Sequence, residues 1–133
     1  MTFQFSQNSL NKLEGVHPDL VKVCHAAIKK SAVDFGITCG VRTQAEQVKL
    51  YAQGRTTPGP IVTWTLDSRH KTGHAVDVMA YVGGKVSWEE GYYEKIADAF
   101  LSAAADLNIK LVWGGNFQKP DRPHIELNRM FYK

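Results

Sequence analysis

The chain has 133 residues, of which 44% are hydrophobic and 22% are charged, and its formal net charge is +3. These values are typical of a single globular domain over residues 1–133, and they argue against a disordered or nucleic-acid-binding chain. No apolar stretch approaches the roughly 18 residues of a membrane span, so we expect no membrane insertion. The N-terminal residues lack the basic and apolar segments of a secretory signal, so we expect synthesis in the cytoplasm.

The first part of the chain is predicted to be mainly helical. A short helix is expected over residues 8–13, with Asn8 or Ser9 as its N-cap. Pro18 suits the first turn of a second helix that runs to about Lys30. The predicted buried stripe of this second helix recurs at helical spacing and consists of Leu20, Cys24, Ala27 and Ile28.

A strand is predicted over residues 35–41, and a third helix follows it. Thr43 and Glu46 form the pattern of a capping box, in which each side chain bonds the other residue's free backbone N–H. The helix they start is expected to end at Tyr51 or Ala52. Because neither cysteine has metal-site spacing and a cytoplasmic protein rarely forms disulfides, both are predicted to be buried free thiols: Cys24 and Cys39.

The second half of the chain begins with a loop from residue 55 to residue 67, in which Trp64 is expected to be a core residue. This loop leads directly into a polar motif, so we expect it to form a wall of a substrate cleft. Next come a strand over residues 75–79 and a hairpin whose turn is Gly83-Gly84.

Ser87 and Glu90 form a second capping-box pattern, which predicts a helix that runs to about Leu107. Asn108 is suited to end this helix. Two further strands are predicted over residues 109–113 and 123–127. The apolar stripe of the helix is expected to contain Tyr93, Ile96, Ala97, Phe100, Ala104 and Leu107.

Strands and helices do not alternate regularly in this order of elements. The order therefore predicts an α+β domain in which helices pack around a small, mostly antiparallel sheet.

The polar motif and the last strand together predict a metal site. His70, Asp77 and His124 supply two imidazoles and one carboxylate, a set of ligands that suits Zn²⁺ with a fourth position left to water. Gly73 permits a tight turn after His70. Asp77 then shares one strand face with Ala75, because residues two apart in a strand point the same way.

These residues resemble a known family of zinc peptidases, the D-alanyl-D-alanine carboxypeptidase and dipeptidase group, in particular its small phage-type branch of L-alanyl-D-glutamate endopeptidases. Two further segments support the resemblance, Gly40-Val41-Arg42-Thr43 and Trp113-Gly114-Gly115. The two motifs that carry the resemblance are Ser68-x-His70-x-x-Gly73-x-Ala75-x-Asp77 and Asp121-x-x-His124-x-Glu126.

The resemblance implies a Hedgehog/D,D-peptidase-like fold with the metal on the open face of the sheet. It also implies that Asp121 is the general base and acid, and that Arg42 stabilises the oxyanion. From the residues themselves, we expect Glu126 to orient a metal-binding histidine by accepting its other N–H. Ser68 is expected to form a hydrogen bond within the motif.

Three functions are compatible with these residues. The first is an endopeptidase that cuts peptidoglycan stem peptides between L-Ala and D-Glu, acting as a monomer and reaching the cell wall through a separate holin-like pore. The second is a D,D-carboxypeptidase or dipeptidase that releases D-Ala from the same kind of site. The third is a domain that binds zinc without catalysis, for which the loss of Asp121 or Arg42 would have been evidence. The sequence leaves open whether the context is phage lysis, a prophage or host secretion.

Overall fold

The computed structural model describes residues 3–63, 65 and 68–132. This described part contains four α-helices, five strands and two short 3₁₀-helices. In chain order the helices and strands are α1 (Gln7–Lys12), α2 (Pro18–Lys30), β1 (Asp34–Cys39), α3 (Gln44–Ala52), β2 (Ala75–Val82), β3 (Lys85–Ser87), α4 (Glu90–Leu107), β4 (Leu111–Trp113) and β5 (His124–Leu127).

The strands form one sheet in the order β1-β2-β5-β4, and β3 pairs with the second half of β2. Every pairing between these described strands is antiparallel, which confirms the predicted α+β class. Strand β2 is the centre of the sheet. Its residue Asp77 lies opposite Cys39 of β1 on one side and opposite His124 of β5 on the other.

One face of the sheet is the floor of the hydrophobic core. Strand alternation places apolar side chains on this face, including Val76 and Val78 of β2 and Ile125 of β5, and all three are buried. Helices α2 and α4 pack together over this core, with Leu20 of α2 and Phe100 of α4 fully buried. Burying a large aliphatic or aromatic side chain contributes about 1.5–3 kcal/mol. The opposite face therefore remains available for polar side chains.

Several local predictions are confirmed. Helix α2 begins at Pro18 and ends at Lys30 as expected. Thr43 and the Glu46 side chain form the reciprocal capping box at the start of α3. The β2–β3 hairpin turns on Gly83 and Gly84, which both have positive φ. Asn108 ends α4 in the left-handed conformation, with φ of 57°.

The predicted start of α4 was wrong. Ser87 is the last residue of β3, and the helix begins at Glu90 without a side-chain hydrogen bond from its N-cap residue Glu89. Ser87 is paired with Ala80 in the sheet, and its side chain accepts the Glu89 N–H at 3.4 Å, so Ser87 precedes the helix and is not its N-cap residue. Leu107 was also misplaced, because it is 42% exposed at the last turn of α4.

Other boundaries moved by a few residues. Helix α1 is capped by Ser6, whose side chain accepts the Ser9 backbone N–H, instead of by Asn8 or Ser9. Strand β1 ends at Cys39, earlier than predicted, where the register of its pairing with β2 shifts. Strand β4 begins at Leu111 and β2 extends to Val82.

Both cysteines are free thiols, as predicted, but only Cys24 is buried; Cys39 is half-buried. The predicted core position of Trp64 lies outside the described residues. Among the residues that are described, no helix combines the length and apolar character needed to cross a bilayer.

Candidate metal centre and active site

The open face of the sheet brings His70, Asp77 and His124 together. Asp77 and His124 are direct neighbours across the β2–β5 pairing, and His70 lies in the 3₁₀-helix that precedes β2. The Asp77 Oδ1 atom lies 3.3 Å from His70 Nε2 and 3.3 Å from His124 Nδ1. Asp77 Oδ1 thus lies between one ring nitrogen of each histidine, and Asp77 belongs to two groups that could hold a metal ion: Cys39, His70 and Asp77, and Asp77, Asp121 and His124.

The segment around His70 is held by local hydrogen bonds. Ser68 Oγ accepts the His70 backbone N–H at 3.2 Å and caps the 3₁₀-helix. The helix ends at Gly73, which has φ of 75°, a conformation that suits glycine. A Cβ atom at Gly73 would lie 2.6 Å from the Gly15 carbonyl oxygen. Gly73 is therefore needed both for the turn and for the close approach of the N-terminal segment.

The second nitrogen of each histidine ring has its own acceptor. His70 Nδ1 lies 2.9 Å from the Gly40 carbonyl oxygen, and His124 Nε2 lies 2.9 Å from Glu126 Oε1. A ring nitrogen that donates its hydrogen leaves the other nitrogen as a lone-pair ligand. When a cation replaces the proton that each ring shares with Asp77, the two acceptors select the neutral tautomers whose lone pairs lie on His70 Nε2 and His124 Nδ1, and this donor set fits a metal cation.

The charges of the site also favour a cation. Burial lowers the pKa of both histidines, but hydrogen bonds to Asp77 outweigh it and raise the pKa of His70 to about 10 and of His124 to about 9. Burial raises the pKa of Asp77, but the two histidines outweigh it and hold that pKa well below its usual range. The surrounding carboxylates therefore stabilise positive charge at the position where the three side chains meet.

Asp121 lies on the rim of the site, in the turn between β4 and β5. Its backbone N–H donates to the Gly114 carbonyl at 2.9 Å, and its own carbonyl accepts the His124 N–H at 3.1 Å. Gly114 is packed so tightly against the Asp121 carbonyl that a Cβ atom would overlap it. Carboxylate and imidazole atoms of Asp77, Asp121 and His124 all lie within 4.8 Å of one another. Asp121 is exposed as a residue, but its carboxyl group is partly desolvated within the site, and this desolvation together with the negative charge of Asp77 raises the pKa of that carboxyl.

Arg42 approaches the same position from the other side. It follows β1, and its backbone N–H donates to the His70 carbonyl at 3.0 Å. Its guanidinium donates to Gln47 Oε1 at 2.7 Å and to Cys39 Sγ at 3.4 Å. One guanidinium nitrogen lies 3.8 Å from Asp77 Oδ2. The structure therefore places Arg42 in the cleft that also contains His70, Asp77 and His124.

The site lies in a cleft of about 370 Å³. His70, Asp77 and His124 line its base, and Arg42 and Asp121 line its rim. Part of the loop predicted as a cleft wall does line it, through Ile61, Val62, Thr63 and Thr65. Phe117 and Pro120 line the cleft from the β4–β5 turn. The loop after α3 and the β4–β5 turn thus both line the cleft beside the candidate metal position.

A comparison with known families identifies the chain. The model of the family described as phage L-alanyl-D-glutamate peptidase matches residues 1–133. The chain belongs to this family. The resemblance on which the sequence interpretation depended is therefore confirmed.

Individual relatives agree with the family model. The chain is 33% identical to the L-alanyl-D-glutamate peptidase of Escherichia phage T5, over 99% of this chain and 94% of the phage protein. It is 32% identical to the peptidoglycan L-alanyl-D-glutamate endopeptidase CwlK of Bacillus subtilis, over 92% of this chain and 81% of the relative. The crystal structure of the Serratia marcescens L-Ala D-Glu endopeptidase ChiX superposes with a TM-score of 0.87 and 41% identity, covering 98% of this chain and 94% of ChiX.

The sequence analysis assigned no functional role to two residues close to the candidate site, Cys39 and Gln47. Cys39 was expected only to be buried, yet its thiol lies within 4.8 Å of the ligand atoms of His70 and Asp77. Burial raises the pKa of the Cys39 thiol, but His70 and Arg42 outweigh it and lower that pKa overall. Gln47 was assigned no role, and its burial is visible only in the structure. The pairing of Cys39 with Asp77 across strands β1 and β2 could not be predicted from local sequence.

Proposed function

We propose that the chain is a zinc-dependent endopeptidase that hydrolyses the L-Ala–D-Glu amide bond of peptidoglycan stem peptides. The observation that carries the proposal is that Asp77 Oδ1 lies 3.3 Å from both His70 Nε2 and His124 Nδ1 in an open cleft. Membership of the phage L-alanyl-D-glutamate peptidase family and the activities named for the phage T5 and Bacillus subtilis relatives support the choice of bond and polymer.

The metal ligands in this proposal are His70, Asp77 and His124. Zinc bound by such ligands lowers the pKa of water to about 7 and polarises a carbonyl group. The Gly40 carbonyl and Glu126 hold the two imidazole rings in the tautomers that the ligand role requires. Ser68 contributes indirectly, since it fixes the backbone of the 3₁₀-helix that carries His70.

Asp121 is proposed as the group that moves the proton. Its carboxylate takes a proton from the attacking water and then gives it to the amine that leaves the scissile bond. The raised pKa of Asp121 suits this double role, because a general acid–base group works best when its pKa lies nearer the working pH. The turn that carries Asp121 is tied to both Gly114 and His124, which keeps the carboxylate beside the metal-binding position.

Arg42 is proposed as the donor to the oxyanion of the tetrahedral intermediate. Its guanidinium is permanently charged and carries several N–H donors, and only 13% of the side chain is exposed. A donor that is held in place in a partly desolvated cleft stabilises the developing charge without having to reorganise during the reaction.

The products of digestion test the bond specificity. Intact Gram-negative-type peptidoglycan would be incubated with the zinc-loaded protein, and the released peptides would be analysed by mass spectrometry. We expect peptides that begin with a free D-Glu amine, and glycan strands whose muramic acid lactyl groups keep only L-Ala. Release of free D-Ala with the L-Ala–D-Glu bond intact would instead establish the carboxypeptidase alternative. Metal retention without either product would leave the non-catalytic zinc-binding alternative.

The proposed substrate lies outside the cytoplasmic membrane, so the enzyme must reach it. We propose that a separate holin-like pore releases the enzyme, and that it then acts as a monomer. Expression with and without a pore-forming membrane protein tests the first point, because lysis is expected only with both. Light scattering during gel filtration tests the second, and a stable dimer would contradict it.

A further inference from the structure

Gln47 is an unusual residue for its surroundings. Within α3, whose residues are all described, it is the only buried residue, and its exposure is 0%. A buried amide is costly unless its hydrogen-bonding groups find partners. Helix α3 thus buries a glutamine at a position where an apolar side chain would contribute more to stability. This choice indicates a specific role for the Gln47 side chain.

The polar groups of the Gln47 amide all have partners. Its Oε1 accepts from Arg42 Nη1 at 2.7 Å, and its Nε2 donates to Thr63 Oγ1 at 3.1 Å and to the Thr65 carbonyl oxygen at 2.6 Å. The orientation of the amide follows from these partners, because a guanidinium only donates and a carbonyl only accepts. Gln47 therefore joins Arg42 on one side to the cleft wall on the other.

We infer that Gln47 is a positioning residue, which holds Arg42 and the wall segment at Thr63 and Thr65 in the arrangement that hydrolysis requires. The inference rests on the role proposed above for Arg42. Without Gln47, the strongest acceptor within reach of the guanidinium is Asp77, whose Oδ2 is already 3.8 Å away. Arg42 would then turn towards the proposed metal ligand and away from the place where the oxyanion forms.

The start of α3 explains how Gln47 holds this position. Arg42 directly precedes the capping box of Thr43 and Glu46, which fixes the first turn of the helix. Gln47 lies one turn further on, so its amide and the Arg42 guanidinium are carried by one rigid unit. The wall segment, in contrast, is sixteen to eighteen residues away in sequence, and Gln47 attaches it to that unit.

The first test is Gln47→Met, which keeps the size of the side chain and removes its hydrogen-bonding groups. We expect kcat to fall by about 10- to 100-fold, since a misplacement of the order of 1 Å can cost about 100-fold, with unchanged zinc content. The matched control is Gln44→Met, the same substitution at an exposed position of the same helix, which should behave as wild type. Unchanged kcat in Gln47→Met would overturn the inference.

The second variant, Gln47→Glu, separates the two contacts. Its carboxylate still accepts from Arg42 but cannot donate to the Thr65 carbonyl. We expect kcat to recover towards the wild-type value while KM rises, because Arg42 is held and the cleft wall is released. If Gln47→Met does not fold, this variant carries the test, and a loss of kcat equal to that of Arg42→Ala would contradict the inference.

A double-mutant cycle with Arg42→Ala distinguishes positioning from general stability. If Gln47 acts through Arg42, then Gln47→Met should cost little further kcat once Arg42 is absent. Equal losses in both backgrounds would overturn the inference.

The NMR signal of the Arg42 Nε–H group gives a readout without activity. It should shift in Gln47→Met and stay in place in Gln44→Met, and no shift would overturn the inference. If wild type cuts no L-Ala–D-Glu bond while the signal shifts as expected, the proposed function fails and the positioning contact stands.

Discussion

The base of the cleft and its rim are built in different ways. At the base, Asp77 and His124 lie on paired strands of one sheet, and the second nitrogen of His124 is held by Glu126. At the rim, Asp121 lies in a turn and is exposed, and Arg42 lies between a strand and a helix. Two of the three proposed ligands are carried by hydrogen-bonded strands, and the third, His70, by a 3₁₀-helix that Ser68 caps. The groups proposed to meet the substrate and move a proton are carried by connecting segments.

This difference predicts that changes at the base remove the metal, whereas changes at the rim remove activity and leave the metal bound. The following substitutions test the two halves of that comparison.

The largest effect is expected for His124→Ala. It removes a proposed ligand and leaves the Glu126 carboxylate, which is only 7% exposed, without its ring partner. We expect zinc content to fall close to zero and hydrolysis to fall to the level without enzyme. The measurement is elemental analysis after dialysis, with exposed His25→Ala as the control. Unchanged zinc content in His124→Ala would remove this residue from the site.

Asp121→Ala tests the rim. We expect the zinc content and fold to remain and hydrolysis to fall on the order of 100- to 10,000-fold, as is typical for loss of a general acid–base group. Steady-state kinetics on a purified stem peptide would measure the effect, with Asp98→Ala on the exposed side of α4 as the control. Activity within a few-fold of wild type would exclude Asp121 from proton transfer.

Arg42→Ala should also keep the metal and lose about 100- to 1,000-fold in kcat, the usual cost of removing an oxyanion donor. Arg42→Lys keeps the charge but not the planar fork that bonds Gln47 and Cys39, so we expect it to recover only part of the loss. Loss of zinc or of the fold in Arg42→Ala would show that the arginine has a structural role.

Glu126→Gln separates the orientation of a ligand from the ligand itself. The amide is uncharged and attracts the His124 N–H less strongly, so we expect zinc affinity or activity to fall about 10- to 100-fold. Competition with a chelator of known affinity measures the change. Glu94→Gln, an exposed glutamate on α4, is the control. Affinity equal to wild type would mean that Glu126 does not support the histidine.

The smallest effect is expected for substitutions at glycines in turns. Gly84→Ala should lower the free energy of unfolding by about 1–2 kcal/mol, the cost of a left-handed conformation for an L-residue. Its Cβ would meet nothing within 4 Å. Gly73→Ala should cost more, because its Cβ would meet the Gly15 carbonyl at 2.6 Å. Urea denaturation of both variants provides the comparison, and equal losses would show that the contact relaxes freely.

Local signals were sufficient for much of the fold. Pro18 at the first turn, the capping box of Thr43 and Glu46, and the glycine pair at the hairpin all act over a few residues, so their effect can be predicted from neighbours in the chain. The second capping pattern failed because Ser87 had a competing partner in the sheet. The predicted burial of Leu107 was wrong because helical periodicity does not show where the surface that packs against α4 ends.

By itself, the sequence determined the class of the domain, the family, and the set of polar residues proposed for the site. It could do so because each motif spans only a few neighbouring residues. Strand alternation likewise depends on neighbours, and it places Asp77 on the open face and Val76 and Val78 in the core. Only the tertiary structure decided that Cys39 lies beside Asp77, and that Gln47 joins Arg42 to the cleft wall. Those contacts depend on strand register and on the path of a loop, which are set by the packing of the whole chain and not by any segment alone.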